Sequence, residues 1–119
     1  MFINLSNHPS ALWNAEQKDA AEQLCGEITD LPFPTVDPAG DEEYINALAD
    51  DYCRRVLDMA AHQPVVVHLM GEMTFTVALV QRLQALGITC VASTTERVTV
   101  EEDGVKTSLF KFVKFRKYF

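Results

Sequence analysis

With 119 residues, 48% of them apolar, the chain fits one domain (residues 1–119) with a real core. It holds no run of roughly 18 apolar residues, so no helix spans a membrane, and Met1-Phe2-Ile3-Asn4 lacks the basic start of a signal peptide. A net charge of −7 argues against binding long nucleic acids, and three cysteines without CxxC spacing suit a reduced, cytoplasmic protein in which Cys25, Cys53 and Cys90 are small buried apolar groups, with neither zinc nor a disulfide frame.

Phe2 to Leu5 reads as the first strand. A helix is expected over about Ala11 to Leu24, capped by Ser10, with Trp13, Ala20, Ala21 and Leu24 as its inner stripe and Gly26 as its stop. A short strand over Glu27 to Leu31 follows, cut off by Pro32 and Pro34. Residues 32–40 carry three prolines, which stiffen an ordered loop over the sheet edge.

Asp41, Glu42 and Glu43 favour the start of a second helix running to His62. Ile45, Leu48, Tyr52, Val56 and Met59 recur at helical spacing and define its buried face. Val65 to Leu69 is a continuous apolar run, as in a strand buried on both sides. A third helix is expected from Thr74 to Leu86, then a fourth strand from Ile88 to Ala92. Alternation of this kind implies a parallel sheet with helices on both faces, that is, a three-layer Rossmann-like α/β sandwich with strand order 2-1-3-4. The pattern then changes. Arg97 to Glu102, Asp103-Gly104 and Val105 to Tyr118 read as a C-terminal β-hairpin, with a bulge near Val113 where the alternation slips.

Charge is unevenly placed. Residues 1–96 carry four basic and fourteen acidic side chains, a net of −10, whereas residues 97–119 carry six basic and three acidic ones, a net of +3. The basic end is either a solvated outer strand or a surface for an anionic ligand or acidic partner.

Three polar clusters follow three hydrophobic strands. They are Ser6-Asn7-His8-Pro9-Ser10, Gly71-Glu72-Met73-Thr74 and Ser93-Thr94-Thr95-Glu96-Arg97. In open α/β sheets ligands bind outside the carboxyl ends of the strands. Helix N-termini there favour anions, so the clusters outline a site for a phosphate-bearing ligand. His8 is either a general acid or base or a loop histidine hydrogen-bonded to the backbone. Arg97 offers a planar fork for phosphate, and Ser93, Thr94 and Thr95 offer hydroxyls. Gly71 permits close approach of a ligand or simply turns the chain. Glu72 is either a reacting acid or a favourable first-turn charge. His62 reads as a cation at a helix C-terminus. His68 reads as a hydrogen-bonded core histidine unless it stands at the strand's mouth. The three histidines lack metal-ligand spacing, and neither GxGxxG, a P-loop nor a Gly-x-Ser-x-Gly elbow is present, so no metal and no cofactor is expected.

Asn4-Leu5-Ser6-Asn7-His8-Pro9, Gly71-Glu72-Met73-Thr74-Phe75-Thr76 and Phe112-Val113-Lys114-Phe115-Arg116-Lys117-Tyr118 together resemble the small stand-alone CRISPR-associated Rossmann-like proteins. That group is similar to CARF sensor domains and includes ring nucleases. The resemblance implies a homodimer that binds a cyclic oligoadenylate, a second messenger of antiviral defence, between two sets of loops. It implies metal-independent cleavage in which a ribose 2′-hydroxyl attacks the adjacent phosphate. Ser6, Asn7 and His8 would then be first-loop contacts and Gly71, Glu72 and Thr74 second-loop contacts. The expectation is a ring nuclease with His8, Ser6 and Arg97 in catalysis and Asn7, Ser10, Gly71, Glu72, Thr74, Ser93, Thr94 and Thr95 on the ligand. The alternatives are a nucleotide sensor without turnover and a protein-interaction module that uses the basic hairpin.

Overall fold

Short strands that alternate with helices return to the sheet most directly as parallel neighbours. The computed structural model, which describes residues 1–119, follows that rule. In chain order it contains β1 (Phe2–Ser6), a 3-10 turn (Ser10–Leu12), α1 (Ala15–Cys25) and β2 (Ile28–Asp30). Then come α2 (Glu42–Ala60), β3 (Val66–Met70), α3 (Met73–Ala85), β4 (Thr89–Glu102) and β5 (Val105–Lys117). The sheet order is β2-β1-β3-β4-β5. All pairs are parallel except the β4–β5 hairpin. The expected order 2-1-3-4 with an added hairpin is therefore present. No helix is long and apolar enough to cross a membrane.

Alternate side chains of the strands point to opposite faces. Ile3, Leu5, Val67, Leu69 and Cys90 face α2 and α3, where they meet Tyr52, Val56, Phe75, Leu79 and Leu83. Phe2, Val66 and Val91 face the other way and meet Trp13 and Ala21. Helices thus cover both faces. Burying each large apolar side chain contributes about 1.5–3 kcal/mol. Arg82 joins the two helices on the first face by hydrogen bonds to Asp50 and Asn46 at 2.7 and 3.1 Å. The proline-rich stretch 32–40 forms no regular element and packs Phe33 and Val36 against this core, as an ordered cover.

Four expectations need correction. The first helix begins at Ala15, capped by the Asn14 side chain, which accepts from the Gln17 amide at 2.9 Å. Ser10 instead opens a three-residue 3-10 turn. The reason is Trp13, whose extended backbone (ψ 148°) carries its ring beneath the sheet and interrupts any helix from Ala11. Trp13 therefore reaches the core from outside the helix, while Leu24 stays exposed. Second, α2 ends at Ala60, and His62 lies past the helix at φ 66°. Third, of the cysteines only Cys90 is buried; Cys25 and Cys53 are half-buried.

The fourth correction matters most for the site. Ser93 to Arg97 do not form a loop at the end of a short strand; they belong to a 14-residue β4. Asp103 and Gly104 have φ of 50° and 80°, the two positive values of a type I′ turn, and so lock twelve residue pairs of β4 and β5 in register. Thr94 pairs with Lys114 and Thr95 with Phe112, which leaves Val113 as the extra residue of a bulge, as the broken alternation suggested.

Candidate functional site

Asn4 and His68 are polar residues at matched positions of adjacent central strands. Both are 2% exposed, so each needs internal partners. Asp30, at the end of β2, decides how they are oriented. The Asn4 Nδ2 donates to Asp30 Oδ1 at 2.9 Å and to the His8 carbonyl at 3.0 Å. A carboxylate only accepts hydrogen bonds, so the amide nitrogen must lie on that side. The Asn4 Oδ1 then faces His68 Nδ1 at 2.9 Å and also accepts from Ser6 Oγ at 2.8 Å. An acceptor oxygen at Nδ1 requires the proton there. In neutral His68 the remaining nitrogen, Nε2, is consequently a bare lone pair.

That Nε2 is buried and has no partner within the protein. Burial, and secondarily the charge of His8, push the His68 pKa down from 6.5 to about 4, so the ring is neutral at physiological pH. Trp13 and Phe115 meet it edge-on with centroids at 5.4 and 5.3 Å, and Phe2 stacks at 6.3 Å. These rings hold the imidazole in one plane.

His68 borders an open cleft of about 470 Å³ beyond the carboxyl ends of β1 and β3. Ser6, Asn7 and His8 form one wall, Met70 and Gly71 the floor end, and Ser93, Thr95, Phe110 and Phe112 the wall supplied by the hairpin. Trp13, Asn14 and Gln17 close the α1 side. The volume suits a small ligand. A second hollow of about 280 Å³ lies on the β2 side and shares Ser6 and Asn7 with the first. The first loop is pinned by the His8 carbonyl, which accepts from Asn4 Nδ2 and Trp13 Nε1. Its exposed imidazole borders the cleft.

The structure thus brings Ser6, Asn7, His8, Gly71, Ser93 and Thr95 together. The other expected residues are engaged elsewhere. Ser10 gives its hydroxyl to Asp30 at 3.0 Å. Thr94 clasps the Lys114 backbone across the bulge. Glu72 caps α3, accepting from the Thr74 and Phe75 amides at 2.9 and 2.8 Å and from the Thr74 hydroxyl. Those bonds, that of Phe75 first, hold its carboxyl below the usual range. Gly71 is needed by the protein itself, because a Cβ there would run into the Phe33 ring. Arg97 lies two residues beyond Thr95 on the same strand face, with its guanidinium on Ser108 Oγ at 3.0 and 3.3 Å. No Lys or Arg lines the cleft. No cluster of three or more His, Cys, Asp or Glu side chains is placed to hold a metal ion.

Asn4, Asp30, His68 and Trp13 are the site residues that reading by loops missed. The available signal was a polar residue at the centre of each of two hydrophobic strands.

Fold and cleft together define an α/β domain with a mixed five-stranded sheet and a ligand-sized cleft at the strand ends. The chain belongs to the family described as Uncharacterized protein MJ1673 family, whose model matches residues 1–116. No curated protein and no solved structure matches it.

Proposed function

We propose that this Rossmann-like domain binds a nucleotide in the cleft, and that the ligand is a cyclic oligoadenylate which the protein, as a CRISPR-associated ring nuclease, opens without a metal. The observation that carries the reading is the orphaned, buried Nε2 of His68, a residue that borders the cleft. A buried lone pair without a donor is costly unless a ligand supplies one. A ribose 2′-hydroxyl is such a donor. Phe110, which is exposed, offers aromatic surface to a base, and Asn7, Ser93 and Thr95 offer polar contacts.

In this reading His68 Nε2 accepts the 2′-hydroxyl proton as that oxygen attacks the adjacent phosphorus. The P–O5′ bond breaks, and His8 gives a proton to the leaving 5′-oxygen. The products are a 2′,3′-cyclic phosphate and a free 5′-hydroxyl, so one proton is taken and one given. Arg97, two residues beyond Thr95 on the same strand face, reaches the phosphates by exchanging Ser108 for them.

The test is incubation with cyclic tri-, tetra- and hexa-adenylate in EDTA, read by chromatography and calorimetry. Cleavage that falls roughly 10²–10⁴-fold in His8→Ala with affinity retained supports the assignment. Arg97→Ala is expected to weaken binding roughly ten- to a hundredfold. Absence of both binding and cleavage removes the reading. A second reading, a nucleotide sensor without turnover, is favoured by the low pKa of His68, about 4, which keeps Nε2 unprotonated and able to accept a hydrogen bond but makes it a weak base. Binding without cleavage selects it.

A further inference from the structure

Beyond Thr94 the hairpin leaves the body of the protein. Every residue from 95 to 111 is exposed. A two-stranded ribbon with both faces in water is marginal on its own. One of its faces is nonetheless apolar. Along β4, Cys90, Ala92, Thr94, Glu96, Val98 and Val100 alternate onto the α2–α3 side of the sheet. Val98 is paired with Leu109, Val100 with Thr107 and Glu102 with Val105. The outer part of that face therefore shows Val98, Val100, Leu109 and Val105, which are 36–63% exposed. Contiguous exposed apolar surface on a soluble domain marks an interaction site.

Charge on this face identifies the occupant. The tip carries Glu102, beside the turn residue Asp103, and is acidic. The root carries Lys111 and Lys114 with Glu96 opposite Lys111, and so keeps a net charge of +1. Between them lies the apolar stripe. A surface that is acidic at one end, apolar in the middle and basic at the other complements itself when a second copy is turned end for end. This is the isologous contact of a two-fold dimer.

We propose that the hairpin is a dimerisation arm: two copies pack the Val98–Val100–Val105–Leu109 faces antiparallel, with the Glu102 tip of each against the Lys111 root of the other. The proposal concerns the arm alone and does not rest on the nucleotide reading. Thr95, Phe110 and Phe112, which line the cleft, project from the opposite face, so this contact leaves them uncovered.

The test is sedimentation equilibrium of the full chain up to high micromolar concentration. Wild type is expected to reach twice its 13.3 kDa monomer mass. Val100→Lys is expected to stay monomeric, with Trp13 fluorescence unchanged because the ring reports on the body rather than the arm. Glu102→Lys and Lys111→Glu, each alone, put like charges at both ends of the contact and are expected to weaken dimerisation roughly tenfold. Mixing these two variants in equal amounts restores attraction at both ends, so a heterodimer of wild-type strength is expected. Damage confined to one arm cannot be repaired by mixing. A wild-type mass of 13.3 kDa across the range overturns the proposal. So does a dimer that survives Val100→Lys, or a mixture no tighter than its components.

Discussion

Replacement of His68 by Phe tests the Asp30–Asn4–His68 arrangement through the pH dependence of stability. In the folded protein the imidazole stays neutral down to about 4, whereas its ordinary value is 6.5. Above pH 6.5 the ring is neutral in both states and contributes no pH dependence. As pH falls below 6.5 the unfolded chain takes up a proton that the folded protein refuses, so the unfolded state gains. Stability is therefore present in full above 6.5 and is lost as pH falls through the folded value. At ~1.4 kcal/mol per pH unit the span from 6.5 to about 4 amounts to about 3 kcal/mol. The measurement is urea unfolding of wild type and His68→Phe at steps between neutral pH and pH 4, with the difference between the two plotted against pH. Other titrating groups are common to both proteins and cancel. The wild type should lose about 3 kcal/mol relative to the variant over that interval. Nitrogen NMR of the same samples should show the Nδ1–H tautomer at neutral pH. A flat difference, titration near 6.5, or an Nε2–H tautomer would refute the reasoning.

Asp30→Asn removes the group that dictates which way the Asn4 amide faces, so His68 should show a mixture of the two neutral tautomers in the same spectra. Gly71→Ala forces the Phe33 ring off its position against Phe75, with ring centroids now 5.3 Å apart, and should cost about 1–3 kcal/mol in denaturant unfolding. Glu72→Gln weakens the α3 cap. Because the carboxyl titrates below its unfolded value, its stabilisation is present at neutral pH and lost on acidification, so the variant's melting temperature should be lower at pH 7 and converge with wild type in acid. Tyr118→Phe breaks the 2.6 Å bond to the Leu69 carbonyl that ties β5 to β3 and should destabilise by about 1 kcal/mol, read by thermal unfolding.

Much of the fold was legible in one dimension because its signals are local. Alternating apolar runs, the Asp41 cap with its acidic first turn, and Asp103-Gly104 each act over a few residues. The slipped alternation at Val113 foretold the bulge for the same reason: side chains along a strand keep a period of two unless a residue is inserted. The loops that end β1 and β3 were placed correctly, since the carboxyl ends of parallel strands must lie on one side of the sheet. What only the tertiary structure decided was which polar groups are already spent. Glu72, Thr74, Ser10 and Thr94 read in sequence as candidate ligand groups, yet each is bonded within the protein. Asn4 and His68 look like core residues, 64 positions apart, yet they form the one buried pair whose remaining lone pair faces no partner. The length of β4 was also decided by its mate, because Ser93 to Arg97 become strand only when β5 folds back to satisfy their backbone groups. Hydrogen-bond satisfaction is a property of the assembled sheet. A residue type and its neighbours can state what a side chain could donate or accept, but the strand brought alongside determines what is left over for a ligand.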